Sequence, residues 1–204
     1  MTAPKHTFTY TDDPHEYRID GRKVPSVTEV VGDILPGYKA DNWYLQVGST
    51  VHACLAKVAL GQPFDLDLSN QEPEDKTMIE GKIVAGRKFL DTCTGGLLHI
   101  EKHMWSVRNQ SAGTCDLVMS PGLGEKPYLV DYKGTLTKAI PYQLGGYSQL
   151  LLEQGENVRY GIGVELRGDG TYKTSEVYDL LRRRADFLVL LRAFNIRREV
   201  GVTE

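Results

Sequence analysis

The sequence predicts an α/β fold, a central mixed β-sheet flanked by helices, and three observations carry that prediction. Helical periodicity governs residues 42–60 and 76–92, β-type alternation takes over across residues 98–133, and from residue 139 onward helical and β patterns follow one another again. Amphipathic helices placed before and after a block of strands bury their apolar stripes against the sheet those strands form. No internal repeat interrupts the order, and 204 residues suit one domain.

Each element has a local reason. Tyr17-Arg18-Ile19 and Arg22-Lys23-Val24 flank the turn dipeptide Asp20-Gly21, a short hairpin that Pro25 ends. Ser26-Val27-Thr28-Glu29 has the spacing of a capping box, and Val30, Val31, Ile34 and Leu35 continue into a short helix closed by Pro36-Gly37. Leu45, Val51, Leu55, Val58 and Ala59 recur at mainly helical spacing over residues 42–60, with His52 inside that helix and Gly61-Gln62-Pro63 as its stop. An acidic link over residues 65–75, the weakest point for a domain boundary, leads to a third helix over residues 76–92. Beyond Gly95-Gly96, residues 98–107, 113–120 and 128–133 read as a meander of strands. A helix over residues 139–152, a hairpin of residues 159–166 and 171–173, and a last helix over residues 175–196 complete the chain. The expected organisation is one domain over residues 1–204: hairpin and helices to 95, a catalytic sheet core to 174, and a C-terminal helix.

Composition narrows the function. With 24 Lys and Arg against 27 Asp and Glu, the net charge of -3 excludes a generally sticky polycation but leaves open a local phosphate site. Cys54, Cys93 and Cys115 form no C-x-x-C pair, which argues against a disulfide framework or a tetracysteine metal site. No apolar run reaches the roughly 20 residues a bilayer crossing needs, and the N-terminus lacks the apolar core of a signal peptide, so the expectation is a cytoplasmic protein without a membrane partner.

The chemistry concentrates in Gly113-Thr114-Cys115-Asp116-Leu117-Val118 and Tyr128-Leu129-Val130-Asp131-Tyr132-Lys133. With residues 120–127 as the hairpin loop, Asp116 stands opposite Asp131, and opposed like charges destabilise a sheet unless something compensates them. Asp131 and Lys133 share one face of their strand. Two carboxylates with a spare backbone carbonyl, here that of Tyr132, are hard oxygen ligands suited to Mg²⁺. Lys133 would orient water or stabilise charge developing on a phosphate. Gln143 and Tyr147, four residues apart, share one helical face from which an amide and a phenol can reach a phosphate backbone. A lone D-x-K is more often a surface ion pair; its company here shifts the reading.

This series resembles the PD-(D/E)XK nuclease superfamily, specifically its RecB-like and phage recombination exonuclease branch. Gly48 to His52 resembles the branch's G-x-x-x-H motif, Glu101 its strand glutamate, Asp116 its first acidic position, Asp131-Tyr132-Lys133 its D/E-x-K signature, and Gln143 to Tyr147 its Q-x-x-x-Y helix. Tyr17 to Gly21 and Val24 to Thr28 look like the N-terminal segment common in phage members. The pre-strand P-D is absent, and no cysteine set for an iron–sulfur cluster is present. The resemblance implies a restriction-endonuclease-like core and Mg²⁺- or Mn²⁺-dependent hydrolysis of DNA phosphodiesters. Asp116, Asp131, Lys133 and Glu101 would be catalytic. His52, Asp116, Asp131 and Tyr132 would hold metal, and Gln143, Tyr147 and Lys138 would touch DNA.

His52 alone would read as a core histidine; its motif tips it toward metal, and an imidazole ligand implies that Mn²⁺ serves at least as well as Mg²⁺. Glu101 alternates with His99 and His103 along one strand. The arginines at 182–184, 192, 197 and 198 form a solvated helix face or a phosphate track, and Trp43, Tyr44 and Trp105 are core or base-stacking aromatics. The expected activity is an exonuclease of replication, repair or recombination, in the host cytoplasm if phage-encoded, working beside a single-strand annealing or single-strand-binding protein or as a homo-oligomer. The rivals are a structure-specific endonuclease with the same site and a non-cutting DNA-binding or assembly module.

Overall fold

The computed structural model describes residues 6–12, 14–35, 42–93, 95–120 and 126–202. Strands β1 (Phe8–Thr11), β2 (Glu16–Ile19) and β3 (Arg22–Val24) form a small antiparallel sheet. Its β2–β3 turn holds Asp20 at φ 49° and Gly21 at φ 77°, the paired left-handed conformations a two-residue hairpin demands. Strand β1, absent from the sequence reading, pairs with β2 so that Phe8 faces Ile19 and Tyr10 faces Tyr17.

Helix α1 (Val27–Ile34) opens with the expected capping box: Ser26 Oγ accepts from the Glu29 amide at 2.9 Å and the Glu29 carboxylate accepts from the Ser26 amide at 3.3 Å. The closing Pro36-Gly37 lies outside the described residues. Helices α2 (Asn42–Ala59) and α3 (Pro73–Leu90) follow; Pro73 sits in the first turn, where its missing N–H costs nothing, and starts α3 ahead of the expected position. Phe64, just before the acidic link, and Leu66 and Leu68 within it tuck against the same core as these helices.

The six-stranded main sheet runs β4 (Leu97–Ser106), β5 (Ser111–Met119), β6 (Tyr128–Lys133), β7 (Tyr160–Leu166) and β8 (Tyr172–Thr174), with β9 (Tyr178–Asp179) also on β7. The β4–β5–β6 meander is antiparallel, whereas β6 and β7 are parallel, joined by the crossover helix α4 (Ile140–Glu153). The sheet is therefore mixed, as the sequence predicts. The last helix, α5 (Leu180–Glu199), begins later than expected because Tyr178 and Asp179 first pair with β7, and Asp179 then caps the helix by accepting from the Leu181 amide at 3.0 Å.

Helices cover the sheet on both faces. Valines of α1 and the buried faces of α4 and α5 pack with Met104, Cys115, Val118 and Leu129 on one side. Helices α2 and α3 pack with Leu117, Val130, Tyr132, Ile162 and Val164 on the other. A residue at the level where strands separate can thus be met from either helical layer. Among the described residues, no helix is long and apolar enough to cross a membrane.

Candidate active site

Strands β5 and β6 pair as Leu117 with Val130, Val118 with Leu129 and Met119 with Tyr128, the register expected from the sequence. The ladder ends at Leu117 and Val130, and the next residues in step are Asp116 and Asp131. There the Asp116 side chain replaces a backbone acceptor: its Oδ2 takes the Tyr132 N–H at 2.5 Å. On the other side, β4 pairs Ile100 with Leu117 and Lys102 with Cys115, leaving Glu101 unpaired between them, level with Asp116. Glu101 has φ 47°, a left-handed conformation that costs a mid-strand residue of this type a kcal/mol or so and recurs at functional sites. At one level the β5–β6 ladder ends and the β4–β5 ladder skips a pair, and each of the three strands carries a carboxylate there.

Both helical layers reach this level. From α2, His52 brings its Nδ1 to 3.2 Å from Asp116 Oδ1. From β6 itself, Lys133 Nζ lies 2.6 Å from Asp131 Oδ2, a charge contact off the line of a good hydrogen bond. From α4, the Gln143 amide nitrogen lies 3.3 Å from Asp131 Oδ1 and 2.9 Å from the Tyr147 hydroxyl. Thr28 of α1 closes the network, its Oγ1 3.2 Å from the Tyr147 hydroxyl and 3.4 Å from the Gln143 amide. The Tyr147 ring fits because β5 carries Gly113, where a Cβ would stand 2.9 Å from Tyr147 Cε1.

His52, Glu101 and Asp116 place one ligand atom each within 4.8 Å of one another, a set able to hold a divalent cation. The donors suit such an ion: two carboxylates and an imidazole match Mn²⁺ well and Mg²⁺ through its oxygen ligands. Asp131 adjoins this set with its oxygens turned to Lys133 and Gln143. Electrostatics point to a deficit of positive charge. Burial first, and then repulsion from Asp116, pushes the Glu101 carboxyl up to about 8. Burial, opposed by Lys133 and reinforced by Asp116, pushes Asp131 up to about 6. Burial works against the charged forms of His52 and Asp116, yet each favours the charged form of the other: the carboxylate raises the imidazole, and the imidazole, Lys133 and the Tyr132 N–H keep the carboxyl low. Burial likewise disfavours the Lys133 ammonium, but Asp131 and Asp116 hold it above the usual lysine value.

The structure thus brings together His52, Glu101, Asp116, Asp131, Lys133, Gln143 and Tyr147, and the Tyr132 backbone enters through its N–H. The Tyr132 ring packs edge-on against both His52, at 5.8 Å between centroids, and Phe89, at 6.1 Å, in the core beneath α2 and α3. Lys138 is exposed on the loop leading into α4. The expected alternation of His99, Glu101 and His103 fails because the left-handed Glu101 breaks the strand's period. His99 joins Lys102 on Glu156, while His103 Nδ1 lies 2.6 Å from Thr114 Oγ1. The arginines of α5 form no continuous track: Arg184 is buried, donating to Ser148 Oγ at 2.8 Å and the Val158 carbonyl at 2.9 Å, Arg183 pairs with Asp186, and Arg197 with Asp33. Gly113 and Thr114 lie inside β5, as expected. Thr28 and Gly113 were missed as parts of the site. Thr28 sits inside the capping box and showed only as a helix-start residue, and Gly113 showed only as a strand residue.

No family model matches the chain, and no curated protein matches it. Among solved structures, the chain is similar to an alkaline exonuclease, LHK-Exo, from Laribacter hongkongensis, with 12% identity over 86% of this chain and 92% of that one and a TM-score of 0.37. A second structure, LHK-Exo in complex with dAMP, gives 12% identity over 87% and 93% and a TM-score of 0.38. At that identity and superposition, the likeness assigns no activity.

Proposed function

We propose that this chain is a divalent-metal-dependent nuclease that hydrolyses DNA phosphodiester bonds from strand ends. The observation that carries the reading is the grouping of His52, Glu101 and Asp116 at the level where the β5–β6 ladder ends, with Asp131 and Lys133 beside them. His52, Glu101 and Asp116 would hold the cation, with Asp131 at its border. A bound ion supplies activation of water and neutralisation of phosphate charge.

The chain's own groups do the rest. The Tyr132 N–H fixes one oxygen of Asp116, leaving the other, beside His52, for the cation. Lys133 Nζ, which Asp131 favours in its charged form, would offset the charge that builds on the scissile phosphate. Gln143 anchors Asp131, and Tyr147, buried and held by Thr28 and Gln143, keeps Gln143 in place; burial makes both positioning residues and not the DNA contacts expected from the sequence. Lys138, on the loop just past β6, would meet a phosphate further along.

The test is cleavage of labelled linear and circular DNA with Mg²⁺, Mn²⁺ or chelator, wild type against Asp116→Asn. The expected result is stepwise shortening of linear DNA that stops with chelator and in the variant. Cutting that persists in either condition overturns the reading, and cutting of closed circles shifts it to an endonuclease.

A further inference from the structure

Beside the carboxylate cluster lies a continuous run of rings that the proposed chemistry does not use. Phe8 stacks on Trp105 with centroids 4.3 Å apart, Tyr10 lies 5.1 Å from Tyr17, and Tyr10 lies 4.3 Å from His103. His15 sits edge-on to both Tyr10 and Tyr17, at 5.3 Å and 5.1 Å. The inner half of this run is core, closing the small β1–β3 sheet onto β4 and β5. The outer half is not: His15 and His103 are exposed and Tyr10 is half-buried.

This rim is tied to the site at both ends. Thr114, two residues before Asp116, lies 2.6 Å from His103 Nδ1 and 2.9 Å from the Tyr17 hydroxyl. The Glu101 carboxylate is near enough to act electrostatically on Tyr10 and Tyr17. Below the rim a cavity of about 300 Å³ opens among His15, Tyr17, Lys23, Ser26 and Glu29, the last two flanking Thr28 of the site network.

We propose that this rim is a stacking platform for unpaired bases, so that an unpaired stretch of the substrate strand lies across β1 and β4 beside the cluster. The inference rests on the nuclease reading for its substrate and adds where the single strand is held. Base stacking on aromatic faces is tolerant of sequence and contributes about tenfold in affinity per well-placed ring. Charge contributes little here, since Glu16 already engages Arg18 and Lys23, and Asp12 engages Tyr10. The platform therefore discriminates by the presence of bases, and phosphates alone do not satisfy it.

The experiment is fluorescence anisotropy in chelator, so that nothing is cut, with a labelled thymidine oligonucleotide and an abasic oligonucleotide of equal length. Wild type is expected to prefer the base-bearing strand by about tenfold or more. The His15→Ala/His103→Ala double variant is expected to lose that preference, and His103→Phe, which keeps a ring, to retain most of it. Circular dichroism spectra and thermal melts matching wild type establish that the double variant is folded, and Phe8→Leu in the core half is expected to lower Tm without removing the preference. Equal binding of both strands by wild type, or a preference the double variant keeps, overturns the platform. The two readings fail separately: metal-dependent cutting without base preference leaves the nuclease and removes the platform, and base preference without cutting does the reverse.

Discussion

Two clusters of charge, both reaching onto β4, behave oppositely. At the surface, Glu156 draws in His99 and Lys102, and its carboxyl is held below the usual glutamate range chiefly by those partners against a burial effect. Around Asp116 and Asp131 the carboxylates outnumber their cations, and Glu101 and Asp131 are pushed up instead. The surface cluster is complete with the chain's own residues. The inner one carries an excess of carboxylate and holds Glu101 in a left-handed conformation, as expected if the proposed cation enters there and if stability has been traded for binding.

The largest effect expected from that contrast is on activity. Glu101→Gln removes a ligand and a repelling charge together, so cleavage should fall by at least a hundredfold, roughly the scale of losing one electrostatic catalytic group, while Tm without divalent ion holds or rises. A large loss of Tm in ion-free buffer would show that Glu101 is structural.

Next comes Lys133→Met, which leaves Asp131 buried without its countercharge. Unfolding stability should fall by about 3 kcal/mol, the cost of breaking a buried pair, and the double change Lys133→Met/Asp131→Asn should recover much of it. Denaturant melts of the single and double variants measure this. Additive losses would mean that the two residues act independently.

Gly113→Ala tests the approach of Tyr147 to the sheet. A methyl group 2.9 Å from the ring must displace a side chain pinned by Thr28 and Gln143, so about 1–3 kcal/mol of stability and a several-fold drop in cleavage rate are expected. Tyr147→Phe should leave stability nearer to wild type, and a melt comparing the two separates packing from hydroxyl.

The smallest effects belong to the surface. Glu156→Gln should cost under about 1 kcal/mol and leave cleavage unchanged. The Arg159–Asp179 pair makes the same point through pH. Arg159, with the Leu181 N–H, lowers the Asp179 carboxyl to about 2. A depressed carboxyl contributes stability above its unfolded value near 4, and loses it as pH falls through about 2. The Tm difference between wild type and Asp179→Asn should therefore be small at neutral pH and vanish across that interval.

Much of the fold was legible from local rules. The capping box at Ser26, the Asp20-Gly21 turn and the apolar spacing of α2, α4 and α5 each act within a few residues, and all appear in the structure. The register that brings Asp116 and Asp131 to one level was also legible, because apolar pairs further along the hairpin fix it, although the ladder itself ends before the two aspartates pair. Three features were not. Strand β1 is too short to show alternation and exists by pairing with β2. The left-handed Glu101 obeys no local preference; β4 is an edge strand, and its pairs with β5 before and after Glu101 set the position of that residue. Arg184 reads as a surface charge in the sequence, yet Ser148, Asn157 and the Val158 carbonyl satisfy it in the interior. Each depends on contacts distant along the chain.

The central claim is that a divalent cation belongs among His52, Glu101 and Asp116. Crystals soaked in Mn²⁺ test it most directly, through the anomalous difference density of the metal. The account predicts a peak between those three side chains that disappears in Asp116→Asn. A well-ordered site with no peak there at saturating Mn²⁺, or a peak the variant keeps, would contradict it.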